Sequence, residues 1–323
     1  MASIIDTSGL AAYIEQENFP LITKALAGGR TASMLTPQLG VKGPTKVNLM
    51  DVDVTMQADS GCTWAADGNL TYTQREIDAK AVKINMEFCP KDLEGFYLRT
   101  QLAAGAHTET IPFEEQFANY LVEKIQDQIE LVIWQGDDVA PAAGNLAMFK
   151  GLLYHDLAPT PFTDCNTAAY GTPLGTPLTM ADMVEAVQRV YALSDSAAVA
   201  QGDFKIFCGL DKFRLFSSAI LNGGGNVTNG GGGQLNNYQS DFDPLRIIFP
   251  GTNIEVVGVN GLTGLNGVYG FSLANSFLGM DLAADSSNLE VWYSQDDRKM
   301  RVAVEFTMGT QFAYPDQVGK VAV

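Results

Sequence analysis

Residues 44–88 constrain the fold of this chain most, because they predict a long β-ribbon with almost no core of its own. Apolar and polar residues alternate over 46–54, polar and turn-forming residues fill 59–69, and segments 70–73 and 81–88 bring the chain back. A two-stranded ribbon is marginally stable alone in water and needs a surface to lie on. We therefore expect a neighbouring subunit to cover it, which points to an assembly protein.

Length and composition are those of a globular protein. The 323 residues suffice for one large or two ordinary domains, and 46% are hydrophobic against 18% charged. No apolar run approaches the ~18 residues that span a bilayer, so no membrane partner is expected. The first residues lack a basic segment followed by an apolar one, so no signal peptide is expected. The widely spaced cysteines predict reduced thiols in a cytosolic product: Cys62, Cys89, Cys165 and Cys208.

The formal net charge of −17 restricts the class of partner. Surfaces that grip phosphate backbones are basic, so the charge argues against direct nucleic-acid binding. It suits a shell protein that lies beside packed nucleic acid without sticking to it. Simple solubility explains the charge equally well.

The strongest helical signal runs from Phe113 to Gln135, between Pro112 and Gly136. Apolar residues at i, i+4 spacing predict its buried face: Phe113, Phe117, Leu121, Ile125 and Ile129, with Tyr120, Val132 and Trp134 nearby. The acidic residues are expected at more exposed positions: Glu114, Glu123, Asp127 and Glu130.

The rest of the chain mixes helices with strands that pair over long sequence distances. Thr179 and Asp182 have the spacing of a capping box before a second helix. Residues 203–208 predict a strand and 211–221 a helix. Seven strands are expected after the glycine-rich loop at 223–233: 246–249, 253–259, 268–271, 276–280, 289–293, 299–310 and 318–323. The predicted fold class is α+β.

Residues that could carry chemistry are sparse. The two histidines, His107 and His155, lack metal-ligand spacing, and the chain has neither a nucleophile elbow nor a phosphate-binding loop. Acidic residues in loops could supply carboxylates for acid–base work or Ca²⁺, but without the spacing of a calcium loop: Asp137, Asp138, Asp164, Asp241 and Asp243. We expect no catalytic, cofactor-binding or metal site. A hydrolase built on the acidic loops stays as an alternative that would need a histidine or metal cluster.

Candidate interaction residues lie on the ribbon. Trp64 is the large apolar residue at its tip, and charges of both signs follow within nine positions: Arg75, Glu76, Asp78, Lys80 and Lys83. One interpretation is a solvated face. The other is a set of ion pairs between subunits, which an exposed ribbon uses to fix register and partner.

The order of these elements resembles a tailed-bacteriophage major capsid protein of the Hong Kong 97-type fold. The resemblance covers nearly the whole chain as an order of elements. Residues 113–135, followed by Gly136-Asp137, look like the spine helix of that family. Residues 180–187 are similar to its first axial helix, and 293–306 to its returning peripheral strand.

The resemblance implies a division of the chain and a function. It implies an N-terminal arm at 1–43, an E-loop ribbon at 44–88, a peripheral domain at 89–144 and 286–323, and an axial domain at 145–285. It also implies a structural, non-enzymatic subunit that forms pentamers and hexamers of an icosahedral shell around double-stranded DNA. The protein is then assembled in the host cytoplasm and located in the virion.

The partners that the resemblance implies are other copies of the chain and, in addition, scaffold, portal and decoration proteins. Packaged DNA would lie next to the shell without sequence-specific binding. A shell of the same fold that encloses enzyme cargo, an encapsulin-like nanocompartment, is the alternative; it is favoured by an amphipathic N-terminal helix, and Pro20 interrupts the helical pattern of 8–26.

Overall fold

The computed structural model describes residues 26, 28–58, 67–89, 113–139, 144–157, 161–169, 171–221, 245–249, 251–281 and 288–323. The side chains of 113–118, 221, 288 and 289 are not part of that description. Trp64, His107, Asp241, Asp243, the glycine-rich loop and most of the arm lie outside the described residues.

The described helices are α1 (Arg30–Met34), α2 (Phe113–Gln135), α3 (Met180–Leu193), α4 (Ser196–Ala200) and α5 (Leu210–Leu221). The predicted helices at 113–135, after Thr179 and at 211–221 are confirmed as α2, α3 and α5, whereas α1 and α4 were not predicted. The capping box at the start of α3 is confirmed, because Thr179 and Asp182 each bond the other's backbone N–H. On α2, Leu121, Ile125 and Ile129 are buried as predicted. The prediction was wrong for Glu130, whose side chain is buried rather than exposed.

The described strands are β1 (Thr36–Leu39), β2 (Thr45–Asp53), β3 (Asn69–Ile77), β4 (Lys80–Phe88), β5 (Thr163–Asp164), β6 (Phe204–Gly209), β7 (Arg246–Ile248), β8 (Glu255–Val259), β9 (Gly267–Ser272), β10 (Ser276–Met280), β11 (Asn288–Ser294), β12 (Lys299–Phe312) and β13 (Gly319–Ala322). β1 and β5 were not predicted, and the largely buried β6 and β9 show no alternation of buried and exposed residues. Short 3₁₀ turns connect several of them, including 152–155 and 260–262.

Two sheets and one ribbon organise these strands. A five-stranded sheet has the order β1-β10-β12-β11, with β4 also paired to β12. A six-stranded sheet has the order β5-β13-β9-β6-β8-β7, and β2 pairs only with β3. We expected a domain boundary near residue 285. β10 precedes this boundary but belongs to the five-stranded sheet, and β13 follows it but belongs to the six-stranded sheet. Each sheet therefore contains strands from both sides of the expected boundary. The returning half of the expected ribbon, β4, is a sheet strand in register with β12.

Each sheet carries its own helices. The apolar face of α2 packs against the five-stranded sheet in a core that includes Leu121, Ile129, Val304 and Phe306. α3 and α5 cover the six-stranded sheet through residues such as Met183, Val187, Phe213 and Phe216. Full burial of one such side chain stabilises by ~1.5–3 kcal/mol, and neither core includes a residue of β2 or β3.

Two backbone segments, at Gly136 and at Gly151, cross in direct contact immediately after α2. Gly136 ends the helix by donating its N–H to Val132 O at 2.9 Å, and Gly151 N–H donates to Gly136 O at 2.8 Å. A Cβ on Gly151 would lie 2.6 Å from both Gly136 N and Val132 O. Because both obstacles are backbone atoms, no side-chain rotation relieves them.

We therefore expect Gly151→Ala to destabilise the subunit by about 3 kcal/mol or more, the upper range for overpacking. Chemical denaturation measures the change. Gly175→Ala is the matched control, because a Cβ there meets nothing within 4 Å. Equal stability of the two variants would show that the crossing is looser than described.

Candidate intersubunit surface

The β2–β3 ribbon is attached to the body only at its base. Its antiparallel register runs from Thr45 opposite Ile77 at the base to Asp53 opposite Asn69 near the tip. Ile77 is fully buried and Leu49 is nearly so, whereas every residue from Met50 to Gln57 is exposed. The sequence prediction of a hairpin that its own domain does not cover is confirmed for β2 and β3, and it was wrong for β4, which pairs with β12 within the subunit.

One face of the ribbon carries a row of exposed apolar side chains, here called the apolar row: Met50, Val52, Leu70 and Tyr72. Met50 lies opposite Tyr72 and Val52 opposite Leu70, so all four side chains share one face. Their exposed fractions are 59%, 50%, 47% and 70% in the order given. Val54 and Met56 continue beyond β2 and are also exposed. Contiguous exposed apolar surface of this kind marks an interaction site rather than a solvated face.

The other exposed side chains of β2 and β3 are polar. Toward the base of the same face, Gln74 Nε2 donates to Asn48 Oδ1 at 2.9 Å across the two strands. On the opposite face near the tip, Asp51 lies across from Thr71. The apolar row is therefore confined to one face of the distal half of the ribbon.

A network of charges holds the junction between β3 and β4. Lys150 Nζ is 2.8 Å from Asp78 Oδ2, Lys80 is paired with Asp138, and Lys80 Nζ is 3.9 Å from Asp78 Oδ2. The Asp138 side chain is only 6% exposed. Two of the residues that the sequence assigned to a subunit interface, Asp78 and Lys80, therefore make ion pairs within the subunit.

The other predicted interface residues are spread along the ribbon and the adjoining sheet. Arg75 is half-buried on β3, and Glu76 is exposed, with its backbone carbonyl accepting from Gln311 Nε2 at 2.7 Å. Lys83 is exposed on β4, in register with Glu305 of β12. Trp64 lies outside the described residues. Of the described residues, Arg75 and Glu76 lie on β3 and Lys83 lies in a different sheet, so these three do not form one patch.

Replacing Lys80, which pairs with Asp138 between β3 and β4, by an uncharged residue should destabilise the subunit. Lys80→Met leaves the largely buried Asp138 carboxylate without its partner, and we expect a loss of about 2 kcal/mol, less than for a fully buried pair because Lys80 is 40% exposed. Lys83→Met, on the exposed face of the same strand, should change stability by less than about 0.5 kcal/mol. Urea denaturation of both variants compares them; indistinguishable midpoints would contradict a structural role for the network.

Several titratable side chains among the described residues are buried within the fold. His155 Nε2 donates to Thr310 O at 2.9 Å, and burial lowers the pKa of the imidazole to about 4. Burial raises the pKa of the Cys165 thiol to about 11 and that of Cys208 further still. No cluster of three or more metal-ligating side chains occurs among the described residues. Within the same residues no helix is long and apolar enough to span a bilayer.

Comparison with known proteins gives structural matches only. No protein-family profile and no curated sequence matches the chain. A chain of the satellite phage P4 procapsid is 8% identical and aligns over 95% of this chain and 98% of its own, with a TM-score of 0.57. The capsid of the native GTA particle is also 8% identical, covering 93% and 91%, with a TM-score of 0.56.

A third match is the Microbacterium phage Oxtober96 structure, 11% identical over 91% of this chain and 90% of its own, with a TM-score of 0.53. Each match covers nearly the full length of both chains, so the likeness concerns the whole architecture rather than one sheet. The chain therefore has the Hong Kong 97-type capsid fold, as the sequence resemblance implied.

Sequence reasoning identified the ribbon but missed the apolar row. The signal was present in the alternation of residues 50–54 and 70–72, because every second residue points to the same face of a strand. Assigning the face required the register between β2 and β3, which the local pattern of either strand does not contain.

Proposed function

We propose that this protein is a major capsid protein, the structural subunit of an icosahedral shell that encloses a double-stranded DNA genome. The observation that carries the proposal is the ribbon with its apolar row, a surface that the subunit's own cores leave exposed. The capsid fold supports it independently. The net charge of −17 fits a shell surface that lies next to DNA without binding it.

In the proposed assembly, the ribbon of one subunit lies over its neighbour in a pentamer or hexamer and buries the apolar row there. Trp64 at the tip, together with Arg75, Glu76 and Lys83, supplies further contacts to neighbours. Asp78 and Lys80 act indirectly, because their ion pairs fix the direction in which the ribbon leaves the body. Weak contacts suffice, since a closed shell repeats each of them many times.

We also propose the division of the chain into structural units that the resemblance implied. Residues 1–43 form an arm and 44–88 the ribbon, 89–144 with 286–323 a peripheral unit, and 145–285 an axial unit, with β10 and β13 crossing between the two units. The shell is a non-enzymatic part of the virion and is assembled in the host cytoplasm. Scaffold, portal and decoration proteins are its proposed partners besides further copies of the chain.

Negative-stain electron microscopy of the purified protein, with analytical ultracentrifugation, tests the proposal. We expect closed particles, or rings of five and six subunits, in equilibrium with a 34.7 kDa monomer. A monodisperse monomer at every protein concentration and ionic strength would argue against a shell subunit.

A further inference from the structure

A buried carboxylate joins the segment before the ribbon to the long helix. Glu130 on α2 is 4% exposed, and Thr31 at the start of α1 is fully buried. Thr31 N–H donates to Glu130 Oε2 at 3.1 Å and to Oε1 at 3.2 Å. The Thr31 hydroxyl donates to Glu130 Oε1 as well. One carboxylate thus accepts both donors of Thr31, its backbone N–H and its hydroxyl.

Trp134 extends this hydrogen-bond chain toward the six-stranded sheet. Its indole Nε1–H donates to Thr31 Oγ1 at 2.7 Å, so the threonine hydroxyl must direct its own proton to Glu130. The Trp134 ring lies 5.4 Å from Phe207 and 6.2 Å from Phe271, centroid to centroid. The hydrogen-bond chain Trp134–Thr31–Glu130 therefore connects the six-stranded sheet, α2 and the segment at 28–35.

Neighbouring backbone restricts the side chains of this hydrogen-bond chain to few conformations. A Cβ on Gly29 would lie 3.1 Å from Glu130 Oε2, and one on Gly261 would lie 2.3 Å from Trp134 Cδ1. The backbone of segment 28–35 and that of the 260–262 turn therefore approach the hydrogen-bond chain from two sides. Such close packing holds the carboxylate in one position rather than in a range of rotamers.

We infer that Glu130 is a positioning residue that holds segment 28–35 against α2, and that proton uptake by its carboxyl tightens this attachment. The inference goes beyond the proposed shell function, because it concerns how the arm is attached within one subunit.

The sign of the pH effect follows from the electrostatics of the site. Burial raises the pKa of Glu130 above its ordinary value of 4.5, against the opposing hydrogen bonds from Thr31. Arg30 lowers this pKa and Asp127 raises it, and the 260–262 turn contributes no charged residue. The attached state thus binds the proton more tightly than the released state. Attachment is complete below the ordinary pKa and weakens as the pH rises through the raised one.

Amide hydrogen exchange of residues 28–35 between pH 5 and pH 8, corrected for intrinsic exchange rates, tests the inference on the unassembled full-length protein. We expect a several-fold fall in protection as the pH rises. Glu130→Gln keeps an acceptor for Thr31 but cannot titrate, so its protection should not depend on pH. Glu123→Gln, which removes an exposed carboxylate about two turns away on the same helix, should behave like the wild type. A wild-type profile that is flat, or unchanged in Glu130→Gln, would overturn the inference.

A second pair of variants keeps the test decisive if Glu130→Gln does not fold. Thr31→Val removes the hydroxyl and should lose protection at 28–35, whereas Thr31→Ser retains the hydroxyl and should keep it. Amides of α3 serve as the internal reference for global unfolding. Full protection in Thr31→Val would equally overturn the inference. Neither result depends on whether shells form, so it is separate from the test of the proposed function.

Discussion

Replacing Val52 and Leu70 together by serine should abolish shell formation while the subunit stays folded. The two residues are directly opposite each other in the apolar row, and both are about half exposed in the isolated subunit. Burying two such side chains at a contact is worth roughly 3 kcal/mol, or about a hundredfold in each association constant. Because the loss recurs at every subunit of the shell, no closed particle should survive it.

The control for this variant is Asp51→Ser with Thr71→Ser, the adjacent pair on the opposite face of the ribbon. Both double variants should melt within about 3 °C of the wild type, since neither pair belongs to the cores. Electron microscopy should show particles for the control only. Normal particles from the Val52/Leu70 variant would mean that the apolar row makes no essential contact.

Leu121→Asp should prevent the protein from folding. Leu121 is 5% exposed on the face of α2 that packs against the five-stranded sheet. An uncompensated buried charge costs roughly 3–5 kcal/mol, a large part of the total stability of a typical protein. We expect insoluble protein on expression, with loss of the cooperative thermal transition in any soluble fraction.

Tyr120→Asp is the matched control, on the preceding residue of the same helix. Tyr120 is 60% exposed, and Lys124 lies 5.5 Å from the centre of its ring. A carboxylate there meets water and a cation, so the variant should fold with nearly wild-type stability. A soluble and cooperative Leu121→Asp protein would show that this face of α2 is not the buried one.

The elements that the sequence predicted well are those with strong local signals. α2 was delimited correctly because Pro112 and Gly136 bracket a long run of i, i+4 apolar residues. α3 was located by its capping box, and strands such as β6 and β9 by β-branched and aromatic residues. These signals depend only on neighbours along the chain, which local patterning reports directly.

The features that the sequence missed depend on tertiary pairing. Glu130 looked solvent-facing by its charge, but the donors that satisfy it come from Thr31, ninety-nine residues earlier. Asp78 and Lys80 looked like interface charges because Lys150 and Asp138 are distant in sequence. Similarly, β4 was assigned to a free ribbon, since its partner β12 lies more than two hundred residues away. Such pairings are set by the whole fold.

A photo-activated cross-linker placed at Tyr72 tests the central claim most directly, that the ribbon contacts a second copy of the chain in a shell. Tyr72 is the most exposed member of the apolar row. Irradiated particles should give a covalent dimer at twice 34.7 kDa, with the linked peptide coming from the body of another subunit, and irradiated monomers should give none. Particles in which position 72 links only to its own chain would contradict the account.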